Sequence, residues 1–124
     1  MISSLILCAI LGSEVELSPT EERMIININS ERQTRGLPEL AVDETLLEET
    51  RSHCAWMANN SKMVHAKNCG RENIAMGASV DGCHNMWMKS SGHRANILYH
   101  RGSRLGVAAY SNSSGRVYYC YRVY

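Results

Sequence analysis

The chain has 124 residues and a formal charge of +1, and we take its acidic and basic residues to be interspersed. This length gives room for one domain around one core, and the charge balance argues against a nucleic-acid surface, which would need a basic stripe. Phe is absent and several of the six Tyr fall in the last segment, so we expect much of the aromatic mass to pack around a C-terminal sheet.

An apolar run, MISSLILCAILG, occupies residues 1–12. It is too short to span a bilayer as a mature helix. Its length and position are typical of the hydrophobic region of a signal peptide, although no Lys or Arg precedes it. We therefore predict that residues 1–17 comprise a signal peptide and a short N-terminal segment, that residues 18–124 form the domain, and that the protein is secreted or extracytoplasmic. No later segment is predicted to cross a membrane.

Two amphipathic helices are predicted next. Ser18 can cap the first, Pro19 suits its first helical position, and Glu21 can complete a capping box. Apolar residues then recur at helical spacing up to Gly36, which predicts a helix over about 19–35. Asp43 can cap the second helix, which carries one stripe of mainly apolar residues: Leu46, Leu47, Thr50, Cys54 and Met57. We interpret both helices as scaffold.

The remaining elements are shorter. Lys62–His65 is predicted to be a first strand, and Asp81 is a candidate cap for a helix that carries Cys83, Met86 and Trp87. Residues 90–92 break that helix and begin another, with His93 in its first turn. Residues 104–111 and 116–124 then form a hairpin around a turn at 112–115.

Three residues in the middle of the chain have the chemistry of a site: His65, Glu72 and His93. A neutral imidazole binds divalent transition metals, and a nearby carboxylate can take a proton from a bound water. These residues are far apart in sequence, so the site depends on the fold bringing them together.

Two phrases in this region, RENIAMG at residues 71–77 and WMKSSGHRANIL at residues 87–98, resemble the paired signature of the CAP superfamily, and most closely its short bacterial branch. The similarity extends from about Thr20 to Tyr124. It implies a three-layer α-β-α sandwich whose small, mostly antiparallel sheet lies between helices. It also implies a cleft lined by two histidines and two acidic residues.

Carried over by position, the resemblance assigns the cleft to His65, Glu72 and His93, with Asn85 in place of the second acidic residue. Asn carries no charge and is not a base near neutral pH. Loss of that carboxylate would weaken the attraction for zinc or another divalent cation.

Five cysteines occur, and Cys8 falls within the predicted signal peptide. The other four predict two disulfides in an exported protein, and three pairings are possible. We favour Cys69 with Cys83, which would join the Glu72 loop to the next helix, and Cys54 with Cys120, which would join a helix to the sheet. The alternative is that some of them are free, buried thiols.

Two functions follow from these observations. The first is a secreted, non-catalytic and monomeric binding module whose cleft holds a divalent cation, a small apolar ligand or an extracellular protein partner. The second is a metal-dependent hydrolase or peptidase in which His65 and His93 hold zinc and Glu72 acts as general base. Catalytic zinc usually has three protein ligands, and Asn85 removes an acid-base group, so the sequence favours the binding module.

Overall fold

A computed structural model describes residues 15–124. These residues form four helices, α1 (Pro19–Gln33), α2 (Glu44–Asn60), α3 (Val80–Met88) and α4 (Ser91–Ile97), and four strands, β1 (Ala41–Val42), β2 (Arg71–Met76), β3 (Arg104–Ser111) and β4 (Val117–Val123). Most of the predicted signal peptide, with Cys8, lies outside this part of the chain. Among the helices described, none has the length and apolar character needed to cross a membrane.

The predicted helix caps are confirmed for α1 and α2. Ser18 Oγ accepts from the Glu21 amide at 3.1 Å, and the Glu21 carboxylate accepts from the Ser18 amide at 2.9 Å, which completes the capping box. Asp43 Oδ1 accepts from the Leu46 amide at 3.0 Å. The prediction that Asp81 caps α3 was wrong. Ser79 is the cap, and the Asp81 carboxylate instead accepts from Arg23 on α1.

The strands form one sheet in the order β1-β3-β4-β2, in which β1 pairs parallel with β3 and the other pairs are antiparallel. Helix α2 covers one face, where Cys54 and Met57 pack against Ile74, Tyr118 and Cys120. Helices α1, α3 and α4 cover the other face, where their side chains pack in one core with those of β3 and β4, among them Met24, Ile28, Trp87, Ile97, Val107, Tyr119 and Tyr121. The mixed α/β fold with a mostly antiparallel sheet between helices is therefore confirmed.

Helix α2 lies unusually close to β3. A Cβ placed on Gly106 would come within 2.6 Å of the Leu46 carbonyl oxygen and 2.7 Å of Thr50 Oγ1. Glycine at this position lets the helix backbone approach the sheet. The position of α2 in turn sets where the segment that carries His65 begins, because that segment follows the end of the helix.

Two predictions about strands were wrong. Residues 62–65 form no strand; the Lys62 amide donates to the Met57 carbonyl at 3.0 Å, so this segment closes the end of α2. Conversely, RENIAMG contains a strand that the sequence did not indicate, and β2 forms one edge of the sheet. Glu72 therefore lies on a strand rather than in a loop.

Candidate functional site

The Glu72 carboxylate lies at the centre of a buried hydrogen-bond network on the α2 face of the sheet. Its side chain is only 2% exposed. Oε1 accepts from His65 Nδ1 at 2.8 Å and from the Ala66 amide at 3.0 Å. Oε2 accepts from Arg122 Nε at 3.1 Å and from the Cys120 thiol at 3.3 Å.

Sheet register brings the ion pair together. Glu72 on β2 lies directly opposite Arg122 on β4 in the antiparallel ladder, and residues directly opposite each other have side chains on the same face. Cys120 precedes Arg122 by two residues, so its side chain also points to that face. The result is a buried carboxylate and guanidinium that neutralise each other.

The network holds Glu72 in its charged form. Burial alone would raise the pKa of Glu72, but the hydrogen bonds from His65, Ala66, Cys120 and Arg122 outweigh it, and the pKa lies below its ordinary value. A carboxylate that is ionised, enclosed and bonded by four donors has little capacity to take a proton from an incoming water.

His65 is the exposed end of this network, with 60% of its side chain open to solvent. An ionised carboxylate can only accept hydrogen bonds, so the proton of the contact lies on His65 Nδ1. This arrangement leaves Nε2, on the far side of the ring, available for an external ligand. A carboxylate behind a histidine in this way orients metal-binding imidazoles in many proteins.

The backbone of His93 contacts β2 through Asn73, the residue that follows Glu72. His93 is the third residue of α4, and its carbonyl accepts from Asn73 Nδ2 at 2.9 Å. Asn73 follows Glu72 in the strand, so the two side chains point to opposite faces of the sheet. The His93 imidazole has its own partner, since its Nδ1 is 2.9 Å from Ser90 Oγ.

The structure thus joins His65 to Glu72 but gives the His93 side chain a separate partner. Across residues 15–124 there is no group of three or more His, Cys, Asp or Glu side chains arranged to hold a metal ion. Asn85 is exposed on α3, and its side chain takes no part in the Glu72 network.

The two signature phrases are joined by hydrogen bonds. Asn96 Nδ2 donates to Asn73 Oδ1 at 2.8 Å and to the Glu72 carbonyl at 3.3 Å, and Trp87 Nε1 donates to the Ile74 carbonyl at 3.2 Å. These bonds cover carbonyl groups on the outer edge of β2. Asn96 therefore braces the second phrase against the first, which is a structural role.

Arg122 and Cys120 were not among the residues predicted from sequence to line the cleft. The signal was present, because Arg122 interrupts an otherwise apolar and aromatic strand, and a buried arginine requires an anionic or hydrogen-bonding partner. The sequence alone did not identify that partner, which is 50 residues away.

The four described cysteines, Cys54, Cys69, Cys83 and Cys120, are free and buried, so neither predicted disulfide is formed. Cys83 packs with Trp87 on one side of the sheet, whereas Cys69 lies near Glu72 and Arg122 on the other. The thiols of Cys54 and Cys120 donate to different acceptors, the Tyr118 carbonyl and Glu72. Burial raises the pKa of Cys54 to about 12, which keeps this thiol protonated and unreactive.

A groove of about 620 Å³ lies elsewhere, between α1 and residues 39–42. It contains none of the predicted site residues. At the predicted site, the His65 imidazole is exposed and the Glu72 carboxylate behind it is buried.

Comparison with known proteins identifies the family. The profile of the CAP (cysteine-rich secretory protein) family matches residues 25–124. The uncharacterized protein YkwD of Bacillus subtilis (strain 168) is 30% identical over an alignment of 117 residues, and the match covers 79% of this chain and 45% of YkwD. This chain therefore spans less than half the length of that relative.

Solved structures share the fold. An outer surface protein from Borrelia burgdorferi aligns with a TM-score of 0.79 and 16% identity, covering 91% of this chain and 97% of that one. NaASP2, crystallised with Zn2+, aligns with a TM-score of 0.71 and 11% identity, covering 86% of this chain and 80% of that one. With the fold, the paired phrases and the family profile in agreement, the chain belongs to the CAP family of cysteine-rich secretory proteins.

Proposed function

We propose that this chain is an extracytoplasmic CAP domain that binds its ligand without transforming it. The observation that carries the proposal is the state of Glu72, whose two oxygens are bonded by four donors inside the fold. A general base must reach the proton that it takes, and this carboxylate is enclosed. The outer-surface location given in the name of the Borrelia burgdorferi protein supports the same compartment for this chain.

The ligand group that we assign to the site is a divalent cation, zinc in the first instance. His65 would supply Nε2, oriented by Glu72, and His93 is the second candidate ligand. Two imidazoles are fewer than the three protein ligands that catalytic zinc usually has, and Asn85 contributes no charge. The residues therefore fit a weakly held, exchangeable ion, and not a catalytic centre.

Calorimetry with zinc tests the assignment. We expect weak binding by the wild type and its loss in the His65→Ala, His93→Ala double variant, because both changes remove ligand nitrogens while the ion pair between Glu72 and Arg122 stays in place. His100→Ala is the matched control, since His100 is exposed and lies outside the network. Unchanged zinc binding in the double variant would remove both residues from the site.

The hydrolase alternative has its own test. Wild type, Glu72→Gln and His65→Ala are incubated with peptide and ester libraries in the presence of zinc. We expect no turnover by any of them. Turnover by the wild type that is lost in both variants, while circular dichroism shows that His65→Ala remains folded, would overturn the non-catalytic assignment.

A further inference from the structure

The end of α2 and the loop after it present three apolar side chains to solvent. Trp56, Met63 and Val64 are 44%, 39% and 47% exposed. His53 links Trp56 to the loop that carries Met63 and Val64: the Trp56 ring stacks on His53 with centroids 5.9 Å apart, and His53 Nε2 donates to the Val64 carbonyl at 2.6 Å. Neighbouring apolar side chains that are held outward mark an interaction surface more than isolated ones do.

Two lysines flank these residues. Lys62 and Lys67 are exposed, and neither belongs to any ion pair of residues 15–124. We call the surface formed by Trp56, Lys62, Met63, Val64 and Lys67 the α2-end patch. It combines an exposed apolar centre with two cations whose charges are not neutralised by neighbouring carboxylates.

The rest of the chain strengthens this positive character. Ten of the twelve acidic residues lie within residues 14–49, whereas ten of the thirteen basic residues lie within residues 51–122. The two acidic residues beyond position 50, Glu72 and Asp81, are both in ion pairs with arginine. The prediction that the two signs are interspersed was therefore wrong, and the patch belongs to the cationic part of the chain.

We infer that the α2-end patch docks on the surface of an anionic phospholipid bilayer. Membrane interfaces favour Trp together with Lys, because the indole ring spans the polar and apolar layers and the lysine head reaches the phosphates. Protein interfaces also favour Trp, but they are depleted in Lys. A soluble polyanion would use the lysines and leave Met63 and Val64 without a role.

The orientation of α2 limits how the patch makes contact. Glu48 and Glu49 lie seven or more residues before Trp56, which places them about 10 Å or more back along the helix axis. Contact through the C-terminal end of the helix keeps both carboxylates away from the phosphates. The domain therefore docks end-on, through the last turn of α2 and the loop that follows.

This inference goes beyond the proposed function and does not depend on it. His65 lies next to Val64 in the chain, but its ring nitrogens are not part of the patch. We expect the His65→Ala, His93→Ala double variant to keep its vesicle binding even though it loses zinc. The failure of one proposal can thus be told apart from the failure of the other.

Cosedimentation of the full chain with vesicles tests the inference. We expect binding to vesicles of equimolar phosphatidylcholine and phosphatidylglycerol, and little to phosphatidylcholine alone. Lys62→Glu with Lys67→Glu, and separately Met63→Ser with Val64→Ser, are each expected to weaken partitioning by at least about tenfold. Trp56 fluorescence should shift to the blue on binding, because the chain has only two Trp and Trp87 is already buried.

Matched controls lie on other surfaces. Ile26→Ser removes an apolar side chain that is 50% exposed on α1, and Arg116→Glu reverses an exposed charge in the β3–β4 turn region; both should leave binding within about twofold of wild type. Equal partitioning to neutral and anionic vesicles, or no change in the patch variants, would overturn the inference. Binding to a DNA duplex with none to vesicles would overturn it in favour of a soluble polyanion.

Discussion

At the scale of single residues, the arrangement around Glu72 decides what the site can do. The carboxylate orients His65 through a hydrogen bond and forms a buried ion pair with Arg122 on the neighbouring strand. Its charge serves the fold and the position of one imidazole at the same time. This double role explains why a glutamate that looks like a general base in the sequence is enclosed in the structure.

Removing Arg122 should reveal how strongly the fold depends on that pair. We expect Arg122→Met to lower the free energy of unfolding by about 3–5 kcal/mol, because it leaves a buried carboxylate without its counter-ion. Urea unfolding monitored by circular dichroism measures the change.

The matched control for that variant is Arg101→Met, an exposed residue in no ion pair of residues 15–124, which we expect to change stability by less than about 0.5 kcal/mol. If Arg122→Met unfolded at the same urea concentration as this control, the pair would contribute little. Adding Glu72→Gln to Arg122→Met should recover part of the loss, since it removes the uncompensated charge.

The sequence predicted a site of His65, Glu72 and His93, and the structure joins the first two through a hydrogen bond. It could not predict Arg122 and Cys120, because only the register between β2 and β4 places them beside Glu72. His93 shows the opposite case. Its chemistry suited the site, but its position on α4 gives its ring a bond to Ser90.

At the scale of secondary structure, the helices were more predictable than the strands. Caps such as Ser18 and Asp43 act within one turn, so local sequence identifies them. Strand β2 lacks this kind of local signal. Its four central residues are all buried, so the alternation of polar and apolar residues that marks a strand exposed on one face is missing.

The docking of α4 on β2 depends on Asn73, which is fully buried. Its side chain donates to the His93 carbonyl and accepts from Asn96. We expect Asn73→Ala to destabilise the fold by about 1–3 kcal/mol, since it leaves partly buried polar groups of His93 and Asn96 on α4 without partners. Hydrogen exchange measures the change: relative to wild type, Asn73→Ala should accelerate exchange of the α4 amides more than exchange of the α2 amides.

Asn59→Ala provides the comparison for this variant. Asn59 is also an asparagine, but it is exposed on α2, and we expect its replacement to be neutral within about 0.5 kcal/mol. Equal exchange rates for α4 in the two variants would mean that Asn73 does not dock the helix. The second signature phrase would then need another structural explanation.

At the scale of the whole molecule, several carboxylates combine to make stability depend on pH. Besides Glu72, the pKa of Asp43 is lowered, chiefly by the hydrogen bond from the Leu46 amide, and the pKa of Glu31 is lowered by its hydrogen bond to His84. These groups lie on different elements, at the N-cap of α2, on α1 and on β2. Acid therefore weakens the helical layers and the sheet together.

The direction of this effect follows from proton linkage. Glu72 has a folded pKa below the ordinary value of 4.5, so in that region the unfolded chain binds more protons than the folded one. The stabilisation is present above the unfolded pKa and is lost as the pH falls through the folded pKa. We expect the free energy of unfolding to decrease steadily as the pH is lowered from about 5 toward about 3.

The Glu72→Gln variant isolates the contribution of one group. It should be less stable than wild type near neutral pH, because Arg122 loses its counter-ion, but its stability should fall less steeply in acid. Glu48→Gln, at an exposed position on α2, should keep the wild-type slope. Urea unfolding at several pH values gives the slopes, and a Glu72→Gln slope equal to that of wild type would show that the pH dependence arises from the other carboxylates.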